Sequence, residues 1–529
     1  MNEKKVAEML QRYFGYSAFR AGQWDIIRHT LAGQNVLGVL ATGGGKSVCY
    51  QLPALMLPGL TVVISPLISL MVDQVRQLRQ RGIRGAEYIN SALSQQEQAW
   101  KMQQVVTGQI KILYVSPEKL QQESFVRELT RVGVSLFVVD EAHCISQWGH
   151  DFRTDYQRLG ERIVRLGHPT VLALTATATE PVQRDICTQL AISPECVQMQ
   201  SVNRENICYD VVKLDNEQEK NELMFAKLAE LQGPGLVYFR SRNGTERAFA
   251  QAQERGIERC AFYHGGMAAD ERMLVQQQFL DGELAIVFAT NAFGMGIDKS
   301  DIRFVLHYHM PPDMESYLQE TGRVGRDGRP GYACLLSVPE DGLLSRQLIH
   351  EEYPDEVQMQ DWITTLMSQA GQEIEMKKMD LQMRYGLNEQ QVQVLLYHLE
   401  TLGGVSHVQR SRDGWVFAVS HTISTNYQRV SDAIARRRGE RYGKVEEMRR
   451  FLHEAGCRRE KIGRYFAQEH HAALAGCCDQ CGIDMEAYRK QEVSIDRRGV
   501  LKWNWQEELD WLLPVEGDAP HGCSENGAD

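Results

Sequence analysis

From about residue 33 to residue 180 the chain repeats one pattern: "NVLGVL", "LTVVIS", "IKILYVS", "SLFVVD" and "TVLALT" are short β-branched, apolar runs. A turn signal and a longer polar stretch with helical spacing follow each run. Apolar runs alternating with helical stretches predict strands buried on both faces and joined by helical crossovers, which is the rhythm of a parallel sheet. The rhythm restarts with "GLVYFRS", "IVFATN", "FVLHYH" and "YACLLS" between about 235 and 337. Two α/β domains in tandem are therefore predicted. The segment Ser201 to Asp215 has no strong pattern and is expected to link them.

After Pro339 the pattern changes. Residues 341–377 are acidic and helical in spacing. The stretch 379–420 then gives a helix, a turn, a second amphipathic helix and two strand-like runs around "SRDG" (Ser411 to Gly414). That is the order of a winged helix with its recognition-type helix and hairpin. The predicted organisation is a first lobe at 1–205, a second lobe at 206–342, a helical and winged-helix-like segment at 343–425, a further subdomain at 426–490 and a tail at 491–529. Within the tail, "LKWNWQEELDWLL" reads as a short packing element, and the Gly, Asp and Ser-rich remainder as disordered.

Composition narrows the class. A chain of 529 residues is too long for one core, and its 43% hydrophobic and 24% charged residues are ordinary globular proportions. With no run of about 18 apolar residues, a membrane-spanning helix is excluded. The start "MNEKKVAEML" has charge but no apolar export segment, so a cytoplasmic address is expected. A net charge of −11 means that any nucleic-acid surface must be local. Between Gln428 and Arg464 twelve Lys or Arg face six Asp or Glu, so that stretch is basic. Of the twelve cysteines, eight are scattered and read as buried small hydrophobes, while Cys457, Cys477, Cys478 and Cys481 cluster.

"LATGGGKSVCY" follows the first predicted strand and precedes a helix. Thr42, Gly43, Gly44 and Gly45 can close backbone N–H groups around phosphate oxygens. Lys46 can then reach the β/γ-phosphates of ATP, and Ser47 can offer its hydroxyl to Mg²⁺. The strict phosphate-loop pattern is broken at Leu40, where a Gly is usual. At the end of a later strand stand Asp140, suited to hold Mg²⁺ through water, and Glu141, suited to polarise an attacking water. Parallel strands bring both ends to one sheet edge, so Lys46 and Asp140 can share a nucleotide. "QETGRVGRDG" (Gln319 to Gly328) offers Arg326, and after it Arg323, as the positive charge a second domain brings to the γ-phosphate when the domains close.

These motifs, together with "FGYSAFRAGQ", "VISPLISLMVDQV", "YVSPEKL", "DEAHCISQWGHDFR", "ALTATAT", "YHGGM" and "ATNAFGMGIDK", resemble superfamily 2 helicases and, more narrowly, the RecQ family of DNA helicases. The resemblance covers roughly residues 10–340 and 440–485. It implies an α/β fold of two tandem RecA-like helicase lobes, followed here by the winged-helix-like segment and a helical zinc-binding subdomain. It implies ATP-dependent 3′ to 5′ movement on single-stranded DNA, unwinding of forked duplex, and a place in DNA repair and recombination. By the same resemblance Tyr16, Arg20 and Gln23 grip adenine. The segment after Asp140-Glu141-Ala142-His143 is the family's aromatic-rich loop. There Trp148 and Phe152 can stack on unpaired bases at about 1 to 3 kcal/mol each, and Arg153 can hold a phosphate. Movement of that loop could set Glu141 or His143. Thr154 departs from the family's usual Pro. Further DNA contacts are expected at Ser65 to Leu70, Ser116 to Lys119, Arg240 to Arg242, and Thr290 with Asn291.

The cysteine cluster resembles the family's zinc platform, a structural Zn²⁺ site with four soft ligands. Its spacing departs from the family's, since the usual first knuckle cysteine would fall at Ala475. Cys477 is the expected fourth ligand, adjacent to Cys478, with His470 or His471 as substitutes. The winged segment precedes the cysteines, whereas the family commonly places it after them, and no helical accessory domain is evident at the C-terminal end. An ATP-gated DNA-binding or remodelling factor without processive unwinding therefore stays open as the alternative; the aromatic-rich loop speaks against a third reading, an RNA helicase on the same motor.

Overall fold

The computed structural model describes residues 3–90, 93–146, 154–294, 299–411, 413–468 and 476–490. Trp148, Phe152, Arg153, His470, His471 and the tail from 491 lie outside the described residues. Residues 1–489 form one compact unit.

The apolar runs become strands for the reason their pattern gives: each is covered on both faces. In the first sheet β1 (Val36–Val39), β2 (Leu60–Ile64), β3 (Ala86–Ile89), β4 (Ile112–Val115), β5 (Val134–Val139), β6 (Thr170–Thr175) and β7 (Val197–Met199) run parallel in the order β3-β4-β2-β5-β6-β1-β7. One core, with Val62, Phe137 and Val171, covers one face, and a second, with Val36, Val63 and Leu172, covers the other. The second sheet joins β8 (Ile207–Lys213), β9 (Gly235–Tyr238), β10 (Cys260–Tyr263), β11 (Ile286–Ala289), β12 (Phe304–His307) and β13 (Gly331–Ser337). It too is parallel, in the order β10-β11-β9-β12-β13-β8.

Three details differ from the sequence reading. The stretch expected to link the lobes is largely strand: β8 pairs with β13 along its whole length, which leaves about 200–206 as the connection. β3 and β10 were hidden because "AEYI" and "CAFY" are short and mixed. Residues 341–377 are not all helical, since Glu373–Lys377 forms β14 after the helices Asp341–Glu352 and Glu356–Met367.

β14 pairs antiparallel with β16 (Gly414–Val419), which also pairs with β15 (Val405–Arg410). At Gly414 an added Cβ would lie 1.9 Å from the Met376 carbonyl oxygen, so close pairing here requires glycine. The helices Lys378–Tyr385 and Glu389–Thr401 lie between β14 and β15 in sequence. Helix Glu389–Thr401, the one expected to be recognition-type, faces the first lobe. Tyr397 bonds Gln157, and Arg158 pairs with Glu400 at 2.6 Å.

A 31-residue helix, Ile423–His453, then docks on the second lobe. Arg441 pairs with Asp313 at 3.3 Å and Glu352 at 3.6 Å, Lys444 with Glu315 at 3.0 Å, and the rings of Phe451 and Tyr317 lie 5.3 Å apart. One continuous core runs from Val305 and Tyr317 through Trp362 and Phe417 to Cys477. Several residues of the basic stretch are thus committed to internal pairs.

Candidate functional site

The turn after β1 is built for an anion. Gly43 and Gly45 adopt φ of +84° and +77°, left-handed values that favour glycine, and Lys46 opens the helix Lys46–Met56. Arg20 donates to the Gly43 carbonyl. Gln23 Nε2 donates to the carbonyls of Gly44 and Gly45 at 3.1 Å each. Both side chains, expected to grip adenine, here brace the glycine turn through its carbonyls. They also line, with Tyr16, Thr42, Gly43, Gly45, Lys46 and Ser47, a cavity of about 350 Å³.

Asp140 and Glu141 follow β5 and line the same cavity. Lys46 Nζ lies 3.1 Å from Glu141 Oε1. Glu141 has φ of +49°, a left-handed conformation in a residue other than glycine and one that turns the chain sharply after the strand. Burial, and then the negative charge of Glu141, raises the Asp140 carboxyl to about 6, against the pull of Lys46. His143 is buried, with Nδ1 3.0 Å from Thr175 Oγ1 at the end of β6 and 3.4 Å from Glu141 Oε2. The Ser47 hydroxyl and the buried Asp140 carboxylate, both lining the cavity, form a hard-oxygen donor set that fits a Mg²⁺ ion accompanying a polyphosphate.

The second lobe closes the cavity. Arg323 and Arg326 line it from the loop after helix Met314–Thr321. A Cβ added at Gly43 would lie 3.1 Å from Arg326 Cγ, so that arginine's stem rests on the glycine turn. Arg323 is buried and donates to the Gly294 carbonyl, whereas Arg326 is the one whose stem meets the glycine turn. The structure thus brings together Lys46, Asp140, Glu141, His143, Arg323 and Arg326 from segments far apart in the chain. Sequence reasoning missed Thr175, Arg204 and Asn206. Thr175 was legible only as part of "ALTATAT", and Arg204 and Asn206 lie in a stretch without periodicity.

The loops expected to meet DNA follow strand C-terminal ends, on the same edges as the cavity: Ser65 after β2, Ser116 after β4, Arg240 after β9 and Thr290 after β11. Ser65, Ser116 and Thr290 are buried, whereas Ser241, Arg242 and Asn291 are exposed.

Some distance along the chain the sulfurs of Cys457, Cys477, Cys478 and Cys481 all lie within 4.8 Å of one another. Cys457 Sγ is 3.6 Å from Cys477 Sγ and 4.0 Å from Cys478 Sγ. Zn–S bonds of about 2.3 Å put tetrahedral sulfurs roughly 3.8 Å apart, so this donor set fits zinc. Adjacent residues 477 and 478 both reach the cluster because the chain turns there against β8: Tyr209 N donates to the Cys477 carbonyl, and Asp479 N to the Tyr209 carbonyl, at 3.1 Å each. Arg458 clamps the knuckle through Asp479 with paired bonds of 2.9 and 2.8 Å. Although burial alone would raise the Cys457 thiol, backbone N–H groups of the following turn hold it below its ordinary value.

Residues 20–185 match the DEAD/DEAH box helicase family model, and residues 219–328 match the helicase conserved C-terminal domain. The chain is 38% identical over 514 residues to a probable ATP-dependent DNA helicase RecS of Bacillus subtilis, covering 97% of this chain and 98% of the relative. It is 46% identical over 361 residues to the ATP-dependent DNA helicase RecQ of the same organism, covering 68% of this chain and 60% of that relative. Among solved structures, the Mycobacterium smegmatis helicase Lhr bound to single-stranded DNA and AMP-PNP shares the fold, with a TM-score of 0.52 and 19% identity over 81% of this chain and 62% of that one. Among the described residues no helix is long and apolar enough to cross a membrane. With two parallel-sheet lobes around one phosphate-loop cleft and a relative matched along nearly its whole length, the chain belongs to the RecQ and RecS-type ATP-dependent DNA helicases.

Proposed function

We propose that this chain is an ATP-driven motor that moves 3′ to 5′ on single-stranded DNA and unwinds forked duplexes in repair and recombination in the bacterial cytoplasm. The observation that carries the reading is the cavity shared by Lys46, Asp140 and Glu141 of one lobe with Arg323 and Arg326 of the other. Lys46 and the glycine turn hold the phosphates, with Tyr16, Arg20 and Gln23 beside them. Glu141, oriented by its left-handed backbone and by His143, takes the proton of the attacking water. Arg326 neutralises charge on the departing phosphoryl group, and Arg323 supports it. Ser47 and Asp140 would hold a Mg²⁺ ion, which would supply further charge neutralisation. Each round of closing and reopening passes the strand along the strand-end loops, and Trp148, Phe152 and Arg153 report its presence to Glu141.

The four cysteines hold a structural zinc, and residues 343–425 form a winged-helix-like segment before it. The docking of helix Glu389–Thr401 on the first lobe through Tyr397 and Glu400 favours a second reading, an ATP-gated DNA clamp, because a helix so occupied is not free for a duplex groove. Strand displacement on 3′-tailed, 5′-tailed and forked duplexes of DNA and RNA separates them. The motor opens 3′-tailed and forked DNA with ATP. Tight ATP-dependent binding without displacement of any duplex would establish the clamp instead.

A further inference from the structure

The short connection between the lobes carries an arginine that touches both. Arg204 Nη1 donates to the Thr42 carbonyl in the phosphate loop at 2.9 Å and to the Gly322 carbonyl at 3.4 Å. Its Nη2 donates to the carbonyls of Val324 at 3.2 Å and Gly325 at 2.6 Å. One guanidinium thus ties the phosphate loop to the backbone that carries Arg323 and Arg326. Asn206, two residues on, donates to the Gly325 and Arg329 carbonyls at 2.8 Å each, so the arginine loop is held on both sides of Arg326. The contact is tight: a Cβ added at Gly322 would lie 2.9 Å from Thr42 Cβ.

The connection is itself gripped from outside the lobes. Buried Arg459 bonds the Asn203 side chain and donates to the carbonyls of Arg204 at 2.8 Å, Ile207 at 2.7 Å and Glu205 at 3.5 Å. Gln468 accepts from Val202 N at 2.9 Å and donates to the Gln200 carbonyl at 3.2 Å. Fixing so many peptide groups removes the freedom an interlobe connection would otherwise have.

We propose that Arg204 is a positioning residue for ATP hydrolysis, setting the stance of Arg326 over the phosphate loop, and that Arg459 holds Arg204 in place. The proposal rests on the reading of the cleft as the ATPase site. A guanidinium in a planar fork can satisfy carbonyls of both loops at once, whereas a lysine ammonium is a single point donor. Arg204 braces residues that line the cavity without lining it itself, so its loss should act on the closed, reacting state more than on ATP binding.

The test measures kcat and KM for ATP at saturating single-stranded DNA, the melting temperature, and the gain in affinity of ADP when aluminium fluoride is added as a mimic of the transferred phosphoryl group. Arg204→Ala is expected to lower kcat at least tenfold with KM within threefold of the parent, and to erase most of the fluoroaluminate gain. Arg204→Lys should restore only part of both, and Arg459→Ala should move them the same way by a smaller factor. A kcat within twofold of the parent in Arg204→Ala, or a KM that rises as much as kcat falls with the fluoroaluminate gain intact, overturns the proposal. If Arg204→Ala loses its cooperative melt, Arg204→Lys decides: parental kcat and trapping there overturn it. Lys46→Ala separates the two levels, because retained hydrolysis in that variant sinks the site reading itself, whereas an inactive Lys46→Ala beside a fully active Arg204→Ala sinks only the positioning role.

Discussion

Glu141→Gln should move nucleotide binding and hydrolysis in opposite directions. Lys46 and Glu141 stand 3.1 Å apart with side chains 17% and 14% exposed, so the lysine proposed to receive a phosphate is already engaged. At an effective dielectric of about 20 the bare attraction at that distance is about 5 kcal/mol. Desolvation and solvent screening leave on the order of 1 kcal/mol for phosphate to overcome. The amide keeps shape and backbone but removes the charge, so ATP should bind about fivefold more tightly. Loss of the general base should lower kcat by roughly 10² to 10⁴. Titration with a fluorescent ATP analogue and phosphate release with single-stranded DNA read the two effects separately. Weaker ATP binding by more than threefold would refute competition between Glu141 and phosphate for Lys46, and hydrolysis within tenfold of the parent would refute the base.

Trp148→Ala should leave ATP binding intact and lower the stimulation of hydrolysis by single-stranded DNA several-fold; unchanged stimulation in a titration with oligonucleotide would remove the sensor role. Cys478→Ser should cut bound zinc, measured by atomic emission, from about one per chain to near none and lower the melting temperature. A parent chain purified without chelator that carries no zinc would end that reading. Burial, reinforced by Arg437, lowers the buried His398 from 6.5 to about 4. The unfolded chain therefore takes up the proton first, so this contribution to stability is complete above about pH 6.5 and is lost as pH falls toward 4, by about 3 kcal/mol in all. His398→Gln should flatten melting temperature against pH between 7 and 5, and parallel curves for variant and parent would contradict this.

Much of the lobes could be read directly, because a strand buried on both faces must be an apolar run, and the strands that lead into the glycine turn and into Asp140 are such runs. β8 could not, since "ICYDVVK" carries Asp210, whose buried carboxylate meets Lys227 at 3.4 Å and the Tyr332 hydroxyl, partners invisible in one dimension. The glycine turn, the acidic strand end and the paired arginines were legible because phosphate chemistry dictates residue types at fixed spacing. Arg204 was not, because it works by donating to backbone carbonyls, and any sequence offers those. The adenine trio illustrates a further limit. The resemblance assigned Arg20 and Gln23 to adenine, and the structure shows them lining the cavity with their side chains bonded to the peptide groups of the glycine turn.

The cysteine turn lies along β8, the edge strand of the second sheet, with the Tyr209 N–H and carbonyl both satisfied by residues 477 and 479. During synthesis that strand leaves the ribosome some 270 residues before its cover. At roughly 5–20 residues per second it therefore waits about 15–50 s with open hydrogen-bonding groups. An uncovered strand edge is a template for pairing with another chain. On the proposal that the four cysteines hold zinc, its supply would be felt first in the yield of properly assembled chains, before any change in the turnover of those already made, and a metal-starved cell should accumulate this protein in inclusions.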